Sequence, residues 1–322
     1  MNTVNPTGYL LDVQHLSVSV TSGPTNTQLI HDVNFSVGRN ETLILLGESG
    51  SGKTILSRSL TKLFPVTSAL KIEGDVTFEN RSLLTLEPNE LALVRRNGIR
   101  YVFQEPIQSL NPVATIRIQM GFATNGKTKN DDTFRQALAS VGLDNSKEIL
   151  DSYPHQLSIG MAQRVCIAMA ILPSPKLLIA DEPTSAVDAS LRFALLDLLL
   201  SIQQNQDMSL ILITHDLDVA RSYGNRIIVM YGGRIIESAD RNAFFEKPLH
   251  PYSRLLLESM PTVGKPATLP GAELQSESID TFDQTGCRFQ ARCPIVEKKC
   301  KELEPDLELA SEGRMVRCFY WK

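Results

Sequence analysis

The stretch GESGSGKT, Gly47 to Thr54, decides the fold. It fits the pattern G-x-x-x-x-G-K-[ST], and it stands between an apolar run typical of a strand and a segment typical of a helix. Glycines let backbone amides surround phosphate groups, Lys53 can reach the β- and γ-phosphate oxygens, and Thr54 offers a hydroxyl to Mg²⁺. The pattern therefore predicts a nucleotide-binding loop, made of Gly47, Glu48, Ser49, Gly50, Ser51, Gly52, Lys53 and Thr54. By itself it does not separate kinases, GTPases, motor ATPases and transport ATPases.

The composition of the whole chain restricts the class further. The 322 residues carry a formal net charge of -4, which gives no basic excess for a nucleic-acid partner. No apolar run reaches the roughly 18 residues that a membrane helix needs, and the N-terminus has neither a basic region nor an apolar core typical of a signal peptide. We therefore expect a cytosolic protein that meets a membrane only through partners.

Hydrophobic patterning outlines the order of the elements. LLDVQHLSVSV and QLIHDVNFSV predict two strands joined by the polar loop TSGPTNT, and KIEGDVTFEN predicts a third strand of an antiparallel patch. The region from Ser109 to Pro154 is typical of helices, and RIIVMYGGRIIES predicts a tight hairpin at Gly232-Gly233. A linker is expected where Gly and Pro accumulate, at Pro261, Gly264, Pro266, Pro270 and Gly271.

Polar side chains end three further apolar runs. LLIADEP ends in Asp181 and Glu182, LILITHD leads into His215, and YVFQEP contains Gln104. Because α/β sheets present ligands at the carboxyl ends of strands, we expect Asp181 to hold Mg²⁺ and Glu182 to deprotonate the attacking water. His215 is expected to touch a γ-phosphate, and Gln104 to sense the metal or the water. Seen alone, Asp181 and Glu182 have ordinary strand-end acids as their alternative, and a lone histidine such as His215 would more often be structural.

Five motifs in one order carry a resemblance. They are GESGSGKT, FQEP, QLSIGMAQRV, LLIADEPTSAVD and ITHD. The set resembles the Walker A, Q-loop, signature, Walker B with D-loop, and H-loop motifs of the nucleotide-binding subunits of ATP-binding-cassette (ABC) transporters. The resemblance implies a P-loop NTPase fold of the α/β class, with a RecA-like core, an antiparallel β subdomain and a helical subdomain at about 105–172 that docks on a membrane subunit.

The resemblance also assigns roles to single residues. It implies a head-to-tail dimer in which the signature loop of one subunit closes over ATP held by the other. The signature positions are Leu157, Ser158, Gly160 and Met161. Independently of the resemblance, Ser158 stands directly before an apolar helical run and is predicted to be the N-cap of a helix. The other positions are Asp188 in the D-loop, Glu182, His215 and Gln104 for catalysis, and Thr54, Gln104 and Asp181 for Mg²⁺.

A narrower resemblance covers nearly the whole chain. YPHQLS, QRVCIAMAI, HPYSRLLL and the cysteine-bearing tail are similar to the oligopeptide/dipeptide importer ATPases, a branch that includes nickel and metal-chelate importers. It implies an ATPase domain at 1–260 and a C-terminal cysteine-rich module at 261–322. It also implies a second ATPase subunit in a heterodimer, two integral membrane permease subunits, an extracytoplasmic substrate-binding protein, and a peripheral location on the cytoplasmic face of the inner membrane.

Four of the five cysteines lie in the last 36 residues, and Cys166 lies in an apolar helix where it is expected to pack. Cys287, Cys293, Cys300 and Cys318 have the spacing C-x(5)-C-x(6)-C-x(17)-C, which differs from paired CxxC zinc motifs. Four thiolates suit an iron-sulfur cluster as well as zinc. The resemblance to the peptide importers favours a 4Fe-4S cluster, with zinc and free thiols as alternatives.

Two positions depart from the family pattern. Family signatures have two glycines after LS, and here Ile159 replaces the first of them. Its branched side chain should hinder close approach of the backbone to a phosphate, so one weakened ATP site in a heterodimer is our hypothesis, against a tolerated substitution. Val20 stands near the position where many such domains stack an aromatic ring on adenine.

Three other functions remain as alternatives to an import ATPase. A soluble cassette ATPase would usually show a coiled-coil insertion or a second cassette, and an exporter would commonly be fused to membrane helices. A regulatory subunit that binds ATP without hydrolysing it is disfavoured by the presence of Glu182 and His215.

Overall fold

The computed structural model describes residues 8–22, 25–65, 68–124, 130–185, 187–259, 285–311 and 313–322. These residues form two compact units. The first unit takes in the described parts of 1–37, 43–84 and 214–322, and the second unit takes in those of 38–42 and 85–213. The expected linker at 261–271 and the proposed boundary at 260/261 lie outside the described residues.

The first unit contains an antiparallel sheet near the start of the chain. Its strands are β1 (Leu11–Ser22), β2 (Thr25–Val37), β4 (Leu70–Phe78) and β5 (Arg81–Ser82), in the order β2-β1-β4-β5. This confirms the predicted antiparallel patch. The polar loop TSGPTNT is shorter than predicted, because Ser22 still pairs with Thr25 and the flanking residues continue the ladder.

The same unit holds a second group of strands around the nucleotide-binding loop. They are β3 (Thr42–Leu46), β9 (Arg226–Tyr231), β10 (Arg234–Asp240), β11 (Glu308–Ser311) and β12 (Arg314–Val316), in the order β11-β12-β10-β9-β3. β3 runs parallel to β9, and β9 and β10 form the predicted hairpin. Gly232 and Gly233 turn it with φ of 54° and 75°, a conformation that suits glycine. The helices of this unit are α1 (Lys53–Ser59), α9 (Leu217–Tyr223), α10 (Arg241–Glu246), α11 (Pro251–Glu258) and α12 (Lys298–Glu302).

The second unit combines parallel strands with helices. β6 (Ile99–Val102), β7 (Leu177–Asp181) and β8 (Ser209–Thr214) pair in the order β8-β7-β6. Every residue of β7 and β8 is buried, which explains their continuous apolar sequence. The helices are α2 (Pro88–Asn97), α3 (Pro106–Ser109), α4 (Ile116–Ala123), α5 (Asp131–Ser140), α6 (Ser146–Asp151), a 3-10 turn (Pro154–Gln156), α7 (Ile159–Ile171) and α8 (Ala189–Asn205).

Helix α7 is the centre of the helical region of the second unit. It packs against α3, α4 and α5 through buried residues that include Ala162, Val165 and Ala168. Cys166 lies on this helix with its sulfur 3.6 Å from the Pro106 carbonyl oxygen, and burial raises the pKa of its thiol to about 12. The sequence predicts that this cysteine packs, and the raised pKa keeps its thiol protonated.

Within the described residues, no helix has both the length and the apolar content needed to cross a membrane.

Candidate active site

The nucleotide-binding loop connects β3 to α1 in the first unit. Gly47 has a φ of 154°, and a Cβ there would lie 2.5 Å from the Met230 carbonyl oxygen, so a larger residue does not fit. Gly52, with a φ of 99°, precedes α1. The N–H of Gly233 donates to the Ser51 carbonyl oxygen at 3.0 Å. The β9–β10 hairpin therefore fixes the path of the loop.

The lysine of the loop is directed at the loop's own backbone. Lys53 begins α1 and is only 5% exposed. Its Nζ donates to the carbonyl oxygens of Gly47 and Glu48, each at 2.7 Å. Ser49 and Gly50 are exposed at the tip of the loop. The loop thus holds its ammonium beside the backbone that would surround a phosphate, as a P-loop requires.

Glu48 has contacts that its variable position in the motif does not predict. Its two carboxylate oxygens accept from Arg292 at 2.9 and 3.0 Å, and its N–H donates to the Tyr252 hydroxyl at 3.0 Å. The ion pair raises the pKa of Arg292 far above its ordinary value. Sequence reasoning missed both partners, since nothing in their local sequence marks them.

In the second unit, Asp181 and Glu182 stand at the end of β7. Asp181 is 1% exposed, and the Tyr101 hydroxyl donates to its Oδ2 at 2.7 Å. The position places the carboxylate where an α/β sheet presents its ligands. Tyr101 is a second residue that the sequence did not reveal, because it lies in the middle of an ordinary strand.

Glu182 and Gln104 come together in the same unit. The Gln104 Nε2 donates to the Glu182 Oε2 at 3.1 Å. Glu182 has a φ of 44°, which is unusual outside glycine, and its N–H donates to the Ile213 carbonyl oxygen at 3.0 Å. Strained backbone of this kind is often kept at functional sites. The arrangement orients a carboxylate that could accept a proton from water.

His215 and Asp188 are both exposed. His215 follows β8 in a turn fixed by its neighbours: the Asp216 N–H donates to the Thr214 hydroxyl, and the Asp216 carboxylate caps α9 by accepting from Asp218 at 2.9 Å. Asp188 stands directly before α8, and its carbonyl accepts from the N–H of Leu191 at 2.9 Å. Both residues therefore sit at defined turns beside regular elements.

The segment LSIGM begins α7. The Ser158 hydroxyl accepts from the Met161 N–H at 3.2 Å, which confirms the predicted N-cap. Leu157 is buried, whereas Ile159 is 52% exposed. A Cβ on Gly160 would meet nothing within 4 Å. Ile159 therefore projects an apolar side chain from the helix start without supporting the core.

The four C-terminal cysteines surround one cavity in the first unit. All four cysteines line it together with residues such as His250, Phe289 and Tyr320. Burial raises the pKa of Cys287 to about 12 and also raises those of Cys293 and Cys318. Among the described residues, no group of three or more His, Cys, Asp and Glu side chains is arranged to hold a metal ion. Neither the predicted 4Fe-4S cluster nor zinc is therefore shown in this part of the chain.

Comparison with known proteins defines the class first. Residues 30–185 match the model of the ABC transporter family. The ATP-binding cassette MJ0796, solved as a dimer with ADP and phosphate in a post-hydrolysis state, superposes with a TM-score of 0.64 at 26% identity, covering 72% of this chain and 98% of the other. CbiO1 of Clostridium perfringens gives a TM-score of 0.62 at 26% identity over 74% of this chain and 91% of the other. The fold is that of an ABC ATPase.

The family follows from longer matches. Residues 236–300 match the C-terminal region of oligopeptide/dipeptide transporters. The oligopeptide transport ATP-binding protein AppD of Bacillus subtilis is 37% identical over 97% of each chain. The dipeptide transport ATP-binding protein DppD of Escherichia coli is 36% identical over 97% of this chain and 96% of its own. The chain belongs to the family of oligopeptide/dipeptide transport ATP-binding proteins.

Proposed function

We propose that this chain hydrolyses ATP to drive the uptake of di- and oligopeptides across the cytoplasmic membrane. The observation that carries the proposal is the end of β7, where Glu182 accepts from Gln104 and Asp181 is held by Tyr101. A regulatory subunit that only binds ATP would not need an oriented carboxylate at this point. The peptide cargo is supported by the names of the relatives AppD and DppD.

We assign phosphate binding to the loop from Gly47 to Thr54. Its backbone amides would meet the β- and γ-phosphates, and Lys53 would leave its bonds to the loop carbonyls for phosphate oxygens. Thr54, Gln104 and Asp181 are the residues that would hold Mg²⁺, all with oxygen donors that this ion prefers. When bound, Mg²⁺ would neutralise charge on the phosphate oxygens.

Hydrolysis needs a water molecule aligned with the γ-phosphate. Glu182 accepts a proton from that water while the water oxygen bonds to the γ-phosphorus. The bond between the γ-phosphorus and the bridging oxygen breaks, and that oxygen leaves with ADP. Gln104 orients the Glu182 carboxylate through its hydrogen bond of 3.1 Å. His215 donates to a γ-phosphate oxygen. In this proposal Gln104 positions the carboxylate, Glu182 accepts the proton, and His215 stabilises charge on the γ-phosphate.

We propose that each ATP site is completed by the other subunit of a heterodimer, formed by this chain and a second ATPase subunit. Leu157, Ser158, Gly160 and Met161 of this chain would face the partner's ATP, and Asp188 would lie at the dimer contact. The helical subdomain at about 105–172 would dock on one of two membrane permease subunits at the cytoplasmic face, and an extracytoplasmic protein would deliver the cargo. The division into an ATPase domain at 1–260 and a C-terminal module at 261–322 belongs to this proposal.

Uptake by intact cells tests the proposal. A deletion strain complemented with the wild type should import labelled peptides, and Glu182→Gln should abolish import at equal protein levels. Glu258→Gln, the same change at an exposed position on α11, is the matched control and should import normally. Labelled nickel and metal chelates are the alternative cargo. Equal uptake of every cargo by wild type and Glu182→Gln would contradict an importer and favour a soluble cassette ATPase.

We also propose that Cys287, Cys293, Cys300 and Cys318 hold a 4Fe-4S cluster. The support is that all four cysteines line the same cavity, and four cysteine thiolates are the ligand set that such a cluster uses. Backbone N–H groups two residues further along the chain reach three of the sulfurs, from Phe289, Ile295 and Tyr320. Hydrogen bonds from backbone N–H groups to sulfur stabilise the thiolates that hold a cluster. The cluster's role would be structural.

Metal analysis of anaerobically purified protein tests the cluster. About four iron and four sulfide per chain are expected, with loss in Cys300→Ser. Cys166→Ser is the matched control because that thiol packs in α7 of the other unit, and it should keep the full iron content. Stoichiometric zinc without sulfide would contradict the proposal.

A further inference from the structure

One ion pair joins the nucleotide-binding loop to the cysteine segment, by which we mean residues 285–311 and 313–322. Arg292 Nη1 and Nη2 donate to the two carboxylate oxygens of Glu48 at 2.9 and 3.0 Å. The ion pair is bidentate, and both side chains are largely shielded from solvent: Arg292 is 20% exposed and Glu48 is 30% exposed. Paired bonds of this kind fix direction as well as distance.

Glu48 is also held through its backbone. Its N–H donates to the Tyr252 hydroxyl at 3.0 Å, and its carbonyl accepts from Lys53 Nζ at 2.7 Å. The same residue therefore connects helix α11, the cysteine segment and the phosphate-binding lysine. The residue whose side chain Arg292 holds also supplies a carbonyl that Lys53 contacts.

Arg292 is itself positioned by aromatic rings. Its guanidinium carbon lies 5.7 Å from the centre of the Tyr231 ring and 5.8 Å from that of Phe289. Phe289 is 1% exposed and meets Tyr231 edge-on at 5.2 Å. It also lines the cysteine cavity. Phe289 therefore lies both at the cavity and beside the guanidinium.

We propose that Arg292 is a positioning residue for ATP binding, through which the cysteine segment sets the affinity of the loop for nucleotide. Two effects act together. The pair orders the loop before ATP arrives, so less ordering entropy is lost on binding. It also neutralises the Glu48 carboxylate, which would otherwise repel the phosphates of ATP. Because binding couplings are reciprocal, ATP must in turn stabilise the cysteine segment.

A mutant cycle on the full chain separates this role from simple support of the fold. Arg292→Ala should raise the Kd for ATP about fivefold or more. In a Glu48→Gln background, the same change should have an effect below about twofold, because its partner is already lost. Lys298→Ala, which removes an exposed positive charge from the same segment, should leave the Kd unchanged. Equal effects of Arg292→Ala in both backgrounds, or no effect where Glu48 is intact, would overturn the proposal.

A conservative variant and hydrogen exchange test the same role of Arg292. If Arg292→Ala does not fold, Arg292→Lys keeps the positive charge but cannot form the bidentate pair. The Kd of this variant for ATP should still be at least about twofold higher than that of the wild type. Hydrogen exchange of residues 285–300 should slow when ATP is added to the wild type, and should not slow in the Arg292 variant. Unchanged exchange in the wild type would overturn the coupling.

The inference rests on the proposed ATP site, and the two fail differently. Lys53→Ala should abolish ATP binding. If the wild type and Lys53→Ala bind alike, the proposed site is wrong. If only Lys53→Ala loses binding while Arg292→Ala is normal, the site is right and the positioning role is wrong.

Discussion

Replacing Tyr101 by Phe removes one hydroxyl and leaves the ring in place. That hydroxyl donates to the Asp181 Oδ2 at 2.7 Å, and Asp181 is 1% exposed. Hydrogen bonds to charged groups contribute about 1.5–3 kcal/mol, so Tyr101→Phe should lower the free energy of unfolding by about 2 kcal/mol. For a protein of this size the Tm should fall by roughly 3 °C.

The same change should affect catalysis through Asp181, without altering any residue of the phosphate loop. A metal-binding carboxylate that loses its orienting partner commonly binds metal about tenfold more weakly. We therefore expect the Mg²⁺ concentration that gives half-maximal ATP turnover to rise by about that factor. Calorimetry and a Mg²⁺ titration of ATPase activity measure the two effects.

Tyr9→Phe is the control, since Tyr9 is 42% exposed and lies in the other unit. It should leave both the Tm and the Mg²⁺ dependence unchanged. If Tyr101→Phe behaved like this control in both measurements, the hydroxyl would neither stabilise the fold nor orient Asp181, and the reasoning would be refuted.

Three further predictions concern other parts of the chain. Ile159→Gly should raise ATP turnover of the assembled transporter with little stability loss, since Ile159 is 52% exposed; unchanged turnover would count against a hindered site. Phe289→Ala should cost about 3–5 kcal/mol in urea unfolding, whereas Phe122→Ala, 72% exposed, should cost little; equal losses would contradict this. Burial, with Arg288 nearby, lowers the pKa of His31 to about 4, so between about pH 6.5 and 4 only the unfolded chain gains this proton and stability falls. His31→Gln should lose ~1 kcal/mol less over that range, allowing for solvent screening, and an equal acid loss would exclude the mechanism.

Local patterns predicted the parts of the site that local sequence determines. The glycines around Lys53 can form only a few kinds of loop, and Ser158 caps the helix that follows it because the hydroxyl reaches an amide three residues away. Alternating and continuous apolar runs predicted the antiparallel sheet and the parallel strands. The roles of Glu182, His215 and Asp188 remain predictions.

The contacts that hold these residues in place could not be predicted. Arg292 meets Glu48 across 244 positions of the chain, and Tyr101 meets Asp181 across 80. Neither pair leaves a spacing that one sequence can reveal. The ends of β1 and β2 were missed for a related reason, because cross-strand pairing extends them through polar residues that local patterning assigns to a loop.

The pairing of β3 with β9 also limits when the protein can mature during synthesis. Leu43 of β3 lies opposite Arg226 of β9. β3 therefore cannot pair with β9 until about 180 more residues have been synthesised and have left the ribosome. Contacts so distant in sequence form late. The second unit ends at residue 213 and can finish sooner. A nascent chain released early would keep a recognisable P-loop sequence and lack the strand and arginine that brace it, so incomplete subunits would not compete with finished ones for ATP.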